Sequence, residues 1–212
     1  MDDFLIYSGY IILLFNLFLY LFSFSRKGKV NIFFISYLAF LVLVQFSMEV
    51  MFHMGKNNLF FTNVYFIGQM VVLGLFYYSI LKSESQKKFV LWSLSLALLV
   101  LIIQYIFDHT QFLKFNLLEI TITSLLVVIF GLLHFYNMLT DKKEYYYFTI
   151  GVVFYLLTST VLFLVGNLTI GLTEELKLMS WRLNAFFIII YYLIILLEWK
   201  VSFMPKKKIN IN

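Results

Sequence analysis

Seven apolar runs of about twenty residues each, parted by short polar breaks, restrict this chain more than anything else in it. They are Phe4–Phe24, Val30–Phe52, Leu59–Leu81, Phe89–Phe107, Phe115–Leu139, Tyr146–Val165 and Trp181–Trp199. Each is long enough for a helix to cross a hydrocarbon layer about 30 Å thick. None alternates apolar and polar residues as a barrel strand must, so helices are the spanning form. The predicted fold class is an all-α integral membrane protein of seven transmembrane helices. Residues 1–205 would form one domain and 206–212 a basic tail. The acidic start, Met1-Asp2-Asp3, and the length of the first run read as a retained first span, not a cleavable signal.

Composition agrees. The chain is 62% hydrophobic and 13% charged, against roughly 45–50% and 25% in soluble domains. This excludes a water-soluble enzyme, a nucleic-acid-binding domain and a disordered chain. With no cysteine there is no disulfide, thiolate metal site or cysteine nucleophile. No lysine falls within a span, which excludes a retinal Schiff base, and no phosphate loop or nucleophile elbow is present. No cofactor is expected.

The basic residues set an orientation. Twelve of the sixteen lie in the breaks after spans one, three and five and in the C-terminal tail, with four acids among them; the other side holds four basic and seven acidic residues. The N-terminus is therefore expected outside and the C-terminus in the cytoplasm. The net charge of +5 is a topology signal and implies no nucleic-acid partner. Lys206, Lys207 and Lys208 read as a stop signal for the last span, with contact to anionic lipid as a second reading.

Two triplets of spans look alike. Over residues 8–82 and 124–200, each has a serine-led span closing on lysines, an aromatic-rich span (NIFFISYLAF against YYYFTIGVVF), and a third span ending on Lys82 or Lys200. This alignment sets Asn63 opposite Asn184. The repeat halves are about 4–82 and 117–200, linked by the span 89–107, and the halves would be parallel. In layout this 3+1+3 plan is similar to the SWEET sugar carriers and the nicotinamide-riboside carriers, although the hinge prolines of the former and the tryptophan-rich motif of the latter are missing. The Phe, Ile, Tyr, Asn and Lys bias, with the pattern from His134-Phe135-Tyr136 to Val165-Gly166-Asn167, resembles small seven-helix inner-membrane proteins of AT-rich bacteria. That resemblance implies a multi-pass inner-membrane location and brings no catalytic residues.

Polar side chains inside spans are costly and need an account. Gln45, Glu49 and His53 follow at intervals of four and share one helix face. Asn63 and Gln69 lie on span three, Glu119 at the start of span five, Thr158, Ser159 and Thr160 on span six, and Arg182 and Asn184 on span seven. Almost all fall in the outer third, while the inner half of each span reads as Phe, Leu, Ile, Val and Tyr. A functional cavity would thus open outward. Its candidate ligand-binding residues are Glu49, His53, Asn63, Gln69, Arg182 and Asn184, with Arg182 or His53 pairing Glu49. Against this stands a structural reading: Asn63 and Asn184 as interhelical glue, Glu49, Glu119 and Arg182 snorkelling to the interface. Tyr145-Tyr146-Tyr147 and Tyr191-Tyr192 are placed for interfacial belts. A metal at Glu49 and His53 would need the loop bearing Asp108 and His109 to fold over span two, and no metal site is assigned.

Three functions follow from this reading. The first is a sensory or partner-binding membrane module with an outward polar pocket, acting through a separate cytoplasmic partner. The second is a small-solute carrier of the 3+1+3 type. The third is a membrane-embedded hydrolase using Glu49, His53, Asp108 and His109.

Overall fold

The computed structural model describes residues 2–27, 30–140, 142–168 and 174–204; the basic tail lies outside them. Among these residues the chain is all helical. Its helices are α1 (Asp2–Lys27), α2 (Ile32–His53), α3 (Leu59–Ile80), α4 (Glu84–Phe107), α5 (Leu117–Asn137), α6 (Tyr146–Leu168) and α7 (Glu174–Glu198). All seven are long and apolar enough to cross a membrane, which makes this a multi-pass membrane protein. A 3₁₀ turn, His109–Leu113, lies between α4 and α5, and a π-turn, Trp199–Phe203, extends α7. Helices α4 and α7 begin several residues before their apolar runs. Glu84 to Lys88 is polar and Glu174 to Ser180 carries three charged residues, yet both are helix-compatible, and a helix does not stop at the edge of the hydrocarbon.

Local chemistry sets the helix ends. Asn31 caps α2 by accepting from Phe33 N at 2.9 Å, and Asn116 caps α5 by accepting from Glu119 N at 3.2 Å. Helix α2 closes on Gly55, whose φ of 65° suits glycine. Gly55 N reaches Phe52 O and Lys56 N reaches Met51 O, both at 3.0 Å, the paired bonds of a Schellman turn. Asp108 caps the 3₁₀ turn through Thr110 N at 3.0 Å.

Six helices form a closed ring. In order around it, α1 packs on α2, α2 on α3, α3 on α5, α5 on α6, α6 on α7, and α7 on α1. Helix α4 stands outside, against α3, α5 and the 3₁₀ turn. Its outer face presents Trp92, Leu96, Leu99, Ile103, Ile106 and Phe107, a surface suited to lipid and not to water.

Large aromatic side chains fill the ring. Phe34 of α2 meets Phe148 of α6 edge to face at 4.6 Å, and Phe76 of α3 meets Phe148 at 5.3 Å. Tyr37, Tyr155 and Tyr191 continue the cluster, and all are buried. Gly131 permits the closest approach of α5 and α6, since a Cβ there would lie 2.6 Å from Val153 Cγ2.

Candidate functional site

The end of the bundle that carries the 3₁₀ turn also carries most of the polar side chains named from sequence. Glu49 and His53 lie one turn apart on α2, and His53 Nε2 meets Glu49 Oε1 at 2.9 Å. The Glu49 side chain is 23% exposed and that of His53 is 63% exposed. From α1, Tyr10 donates to Glu49 Oε2 at 3.0 Å and Tyr7 to Oε1 at 3.4 Å. The partner of Glu49 is therefore His53, with two phenols unforeseen from sequence. Beside this carboxylate a cleft of about 150 Å³ runs into the seam of α1 and α2. It is lined by Tyr10, Leu13, Leu14, Val42, Gln45, Phe46 and Glu49.

Below the cleft the polar groups continue into the bundle. Gln45 Nε2 donates to the Tyr192 hydroxyl at 2.5 Å, and Asn16 Nδ2 to Tyr192 O at 2.8 Å. At the centre the Tyr37 hydroxyl accepts from Gln69 Nε2 and from the Tyr191 hydroxyl, each at 2.9 Å. Tyr155 stacks on Tyr191 with ring centroids 5.1 Å apart. Tyr191 and Tyr192 are thus not belt residues. Their hydroxyls have partners inside the ring, where an unpaired phenol would be costly. The halves of the spans away from the 3₁₀ turn are likewise more polar than expected: Asn16, His134, Thr149 and Glu198 are all buried.

The other named residues occupy separate positions. Asn63 Nδ2 reaches Gln111 O, Phe112 O and Lys114 O at 2.8 to 3.3 Å and so ties the 3₁₀ turn to α3. Asn184 Oδ1 accepts from Ser159 Oγ at 2.9 Å and joins α7 to α6. Arg182 is exposed near the start of α7. Of the six candidates, only Glu49 and His53 touch each other. A second cleft, about 230 Å³, lies at the same end between α3, the connection before α5, α6 and α7, lined in part by Phe115, Phe163, Asn167, Ser180 and Trp181. None of the six lines it.

Asp108 and His109 are held away from Glu49. The 3₁₀ turn packs on α3 and α4 and not on α2. The Asp108 carboxylate takes up Thr110 Oγ1 at 2.6 Å and Gln111 Nε2 at 2.7 Å, and these bonds hold it below the usual carboxylate range. Among the described residues no three His, Asp or Glu side chains gather as metal ligands would.

Two carboxylates are buried at span ends. Glu119 does not snorkel; it is fully buried, with Tyr105 of α4 donating to its Oε2. Glu198, one of the four acids that lie with the twelve basic residues, is 1% exposed and caps a different helix: its Oε2 accepts from Tyr147 N at 2.8 Å and Phe148 N at 3.2 Å, at the start of α6. Tyr145, just before that helix, has a φ of 52°, rare for an aromatic residue. Its hydroxyl accepts from Asn31 N at 2.7 Å, and burial pushes its phenol up. Among family models, curated proteins and solved structures, the chain matches none.

Proposed function

We propose that the chain is a sensory or partner-binding module of a bacterial inner membrane, N-terminus outside, which binds a small amphiphile at Glu49 and acts through a separate cytoplasmic partner. One observation carries this reading: a half-buried carboxylate, ringed by Tyr7, Tyr10 and His53, stands at the mouth of an otherwise apolar cleft. A cavity of about 150 Å³ takes a body the size of benzene. A carboxylate at a cleft mouth favours a cationic head. The ligand class is therefore a small amine on a compact apolar body. The basic-residue count puts this mouth outside, and the hydrogen bonds from Gln45 and Asn16 to Tyr192 link its floor to α7.

The test is titration calorimetry of the protein in lipid nanodiscs with benzylamine and with toluene. Saturable benzylamine binding that is lost in E49Q is the expected result. Equal benzylamine affinity in E49Q, or none in the wild type, refutes the site.

The 3+1+3 carrier is the second reading. The ring order supports it, because a half turn exchanging α1–α3 with α5–α7 maps the ring onto itself and leaves α4 as the linker. The interior packing of Phe34, Tyr37, Phe148 and Tyr191 weighs against an open path. Benzylamine uptake into proteoliposomes, driven by its gradient, would favour the carrier.

A further inference from the structure

A second polar cluster lies where α4 meets α5, apart from the Glu49 cleft and independent of its role. Glu119 is fully buried in the first turn of α5, and only its Oε2 has a partner, the Tyr105 hydroxyl. Its Oε1 is buried with no hydrogen bond, and so is Gln104 Oε1. Asn116 Oδ1 joins the Gln104 side chain to the backbone of Glu119, accepting from Gln104 Nε2 and from Glu119 N, each at 3.2 Å. Asn116 Nδ2 is buried without a partner as well, so the cluster around the carboxylate holds two orphaned acceptors and one orphaned amide donor.

Among the described residues no cation is paired with it. Helix α3 brings Asn63, whose Nδ2 is spent on the 3₁₀ turn, and α4 brings Gln104 and Tyr105. Helix α6, from Thr158 to Leu168, has no titratable side chain. In the connection, Lys114 Nζ donates to Thr110 Oγ1 at 2.9 Å, Asp108 is held by Thr110 and Gln111, and His109 is exposed. Among the described residues, no basic side chain forms an ion pair with Glu119. A carboxylate in such a place is neutralised by a proton or by a bound metal ion. A hard cation such as calcium wants about six to eight oxygens; here the orphaned ones are those of Glu119, Gln104 and Asn63. A proton needs one carboxyl oxygen, and the carboxylic O–H it makes is a second donor among the orphaned acceptors.

We propose that Glu119 is a proton-binding site whose bound proton seats α4 on the helix ring. Helix α4 has hydrogen-bonded ties to α5 at both ends. At one end Gln86 and Asn137 exchange amide bonds at 3.0 and 2.7 Å; at the other Gln104 and Tyr105 meet Asn116 and Glu119. Loss of the proton leaves an unpaired charge in the second tie, and water must enter between α4 and α5 to solvate it. The proton moves between Glu119 Oε1 and that entering water, with no other bond made or broken.

Infrared spectroscopy of the protein in nanodiscs tests this, together with maleimide labelling of L101C, a buried α4 position in a cysteine-free chain. A carboxylic-acid C=O band is expected at neutral pH in the wild type. It is lost in E119Q, retained in E119D, and the same in sodium or choline chloride. Alkaline titration removes the band, and L101C becomes reactive over the same range; in an E119Q background L101C stays protected. A carboxylate at neutral pH overturns the proposal, and if it depends on sodium the site belongs to a cation. Labelling with the same pH dependence in L101C and L101C/E119Q overturns the seating. If E119Q fails to insert, the E119D band and its alkaline loss decide the matter.

Discussion

Replacing Glu198 by alanine removes the acceptor of three hydrogen bonds. Two come from the first turn of α6, Tyr147 N at 2.8 Å and Phe148 N at 3.2 Å, and one from Ser202 Oγ at 2.5 Å. Phe148 is fully buried, and Tyr147 is partly covered. Stranding a buried backbone donor costs about 1–3 kcal/mol, and loss of an anion from a helix N-terminus about 0.3–1 kcal/mol. Release of the carboxylate from its own desolvation offsets part of this. The net expectation for E198A is a loss of about 2–3 kcal/mol. E198Q keeps one acceptor oxygen and loses the charge, for about 1 kcal/mol. The assay is reversible unfolding in mixed micelles with rising dodecyl sulfate. It is read by the fluorescence of Trp199, which adjoins Glu198 and donates to Ser23 Oγ at 2.8 Å. Stability should fall in the order wild type, E198Q, E198A. E198A within about 0.5 kcal/mol of wild type, the range of an ordinary surface change, refutes the capping role. So does a glutamine variant no better than alanine.

Three further outcomes follow from the packing. G131A should cost about 1–3 kcal/mol by forcing α5 from Val153 of α6, and unchanged unfolding would mean that the seam gives way freely. A Tyr37→Phe and Gln69→Leu double-mutant cycle should yield a coupling of about 0.6 to 1.7 kcal/mol, the range of membrane side-chain hydrogen bonds; no coupling would show that the pair contributes nothing. Asp108 is held low in pKa by Thr110 and Gln111, so its cap on the 3₁₀ turn is present above the ordinary carboxylate pKa of about 3.9 and is lost as pH falls through the lower folded value. Corrected for intrinsic rates, hydrogen exchange at the Thr110 amide should accelerate only below that pH, and D108A should remove the dependence.

The seven spans were legible because a transmembrane helix announces itself in one dimension: a run of about twenty apolar residues has few other readings. The Glu49–His53 pair was legible for a related reason, since residues four apart on one helix meet whatever the tertiary arrangement. Glu119 and Glu198 were not legible. Whether a carboxylate at a span's end snorkels or is buried depends on what another helix places over it. For Glu119 that is Tyr105 of α4; for Glu198 it is the backbone of α6, 51 residues back along the chain. The tyrosines failed in the same way. Tyr191 and Tyr192 have the composition of an interfacial belt, yet Tyr37 and Gln45 offer their hydroxyls partners inside the ring. In water such a misreading would concern stability alone. In a bilayer it concerns function, because every polar atom inside must find a partner, a proton or a ligand. The informative residues are those whose partners the described structure leaves incomplete. By that criterion Glu119, with one bare oxygen, marks a site more sharply than Glu49, whose two oxygens are both engaged.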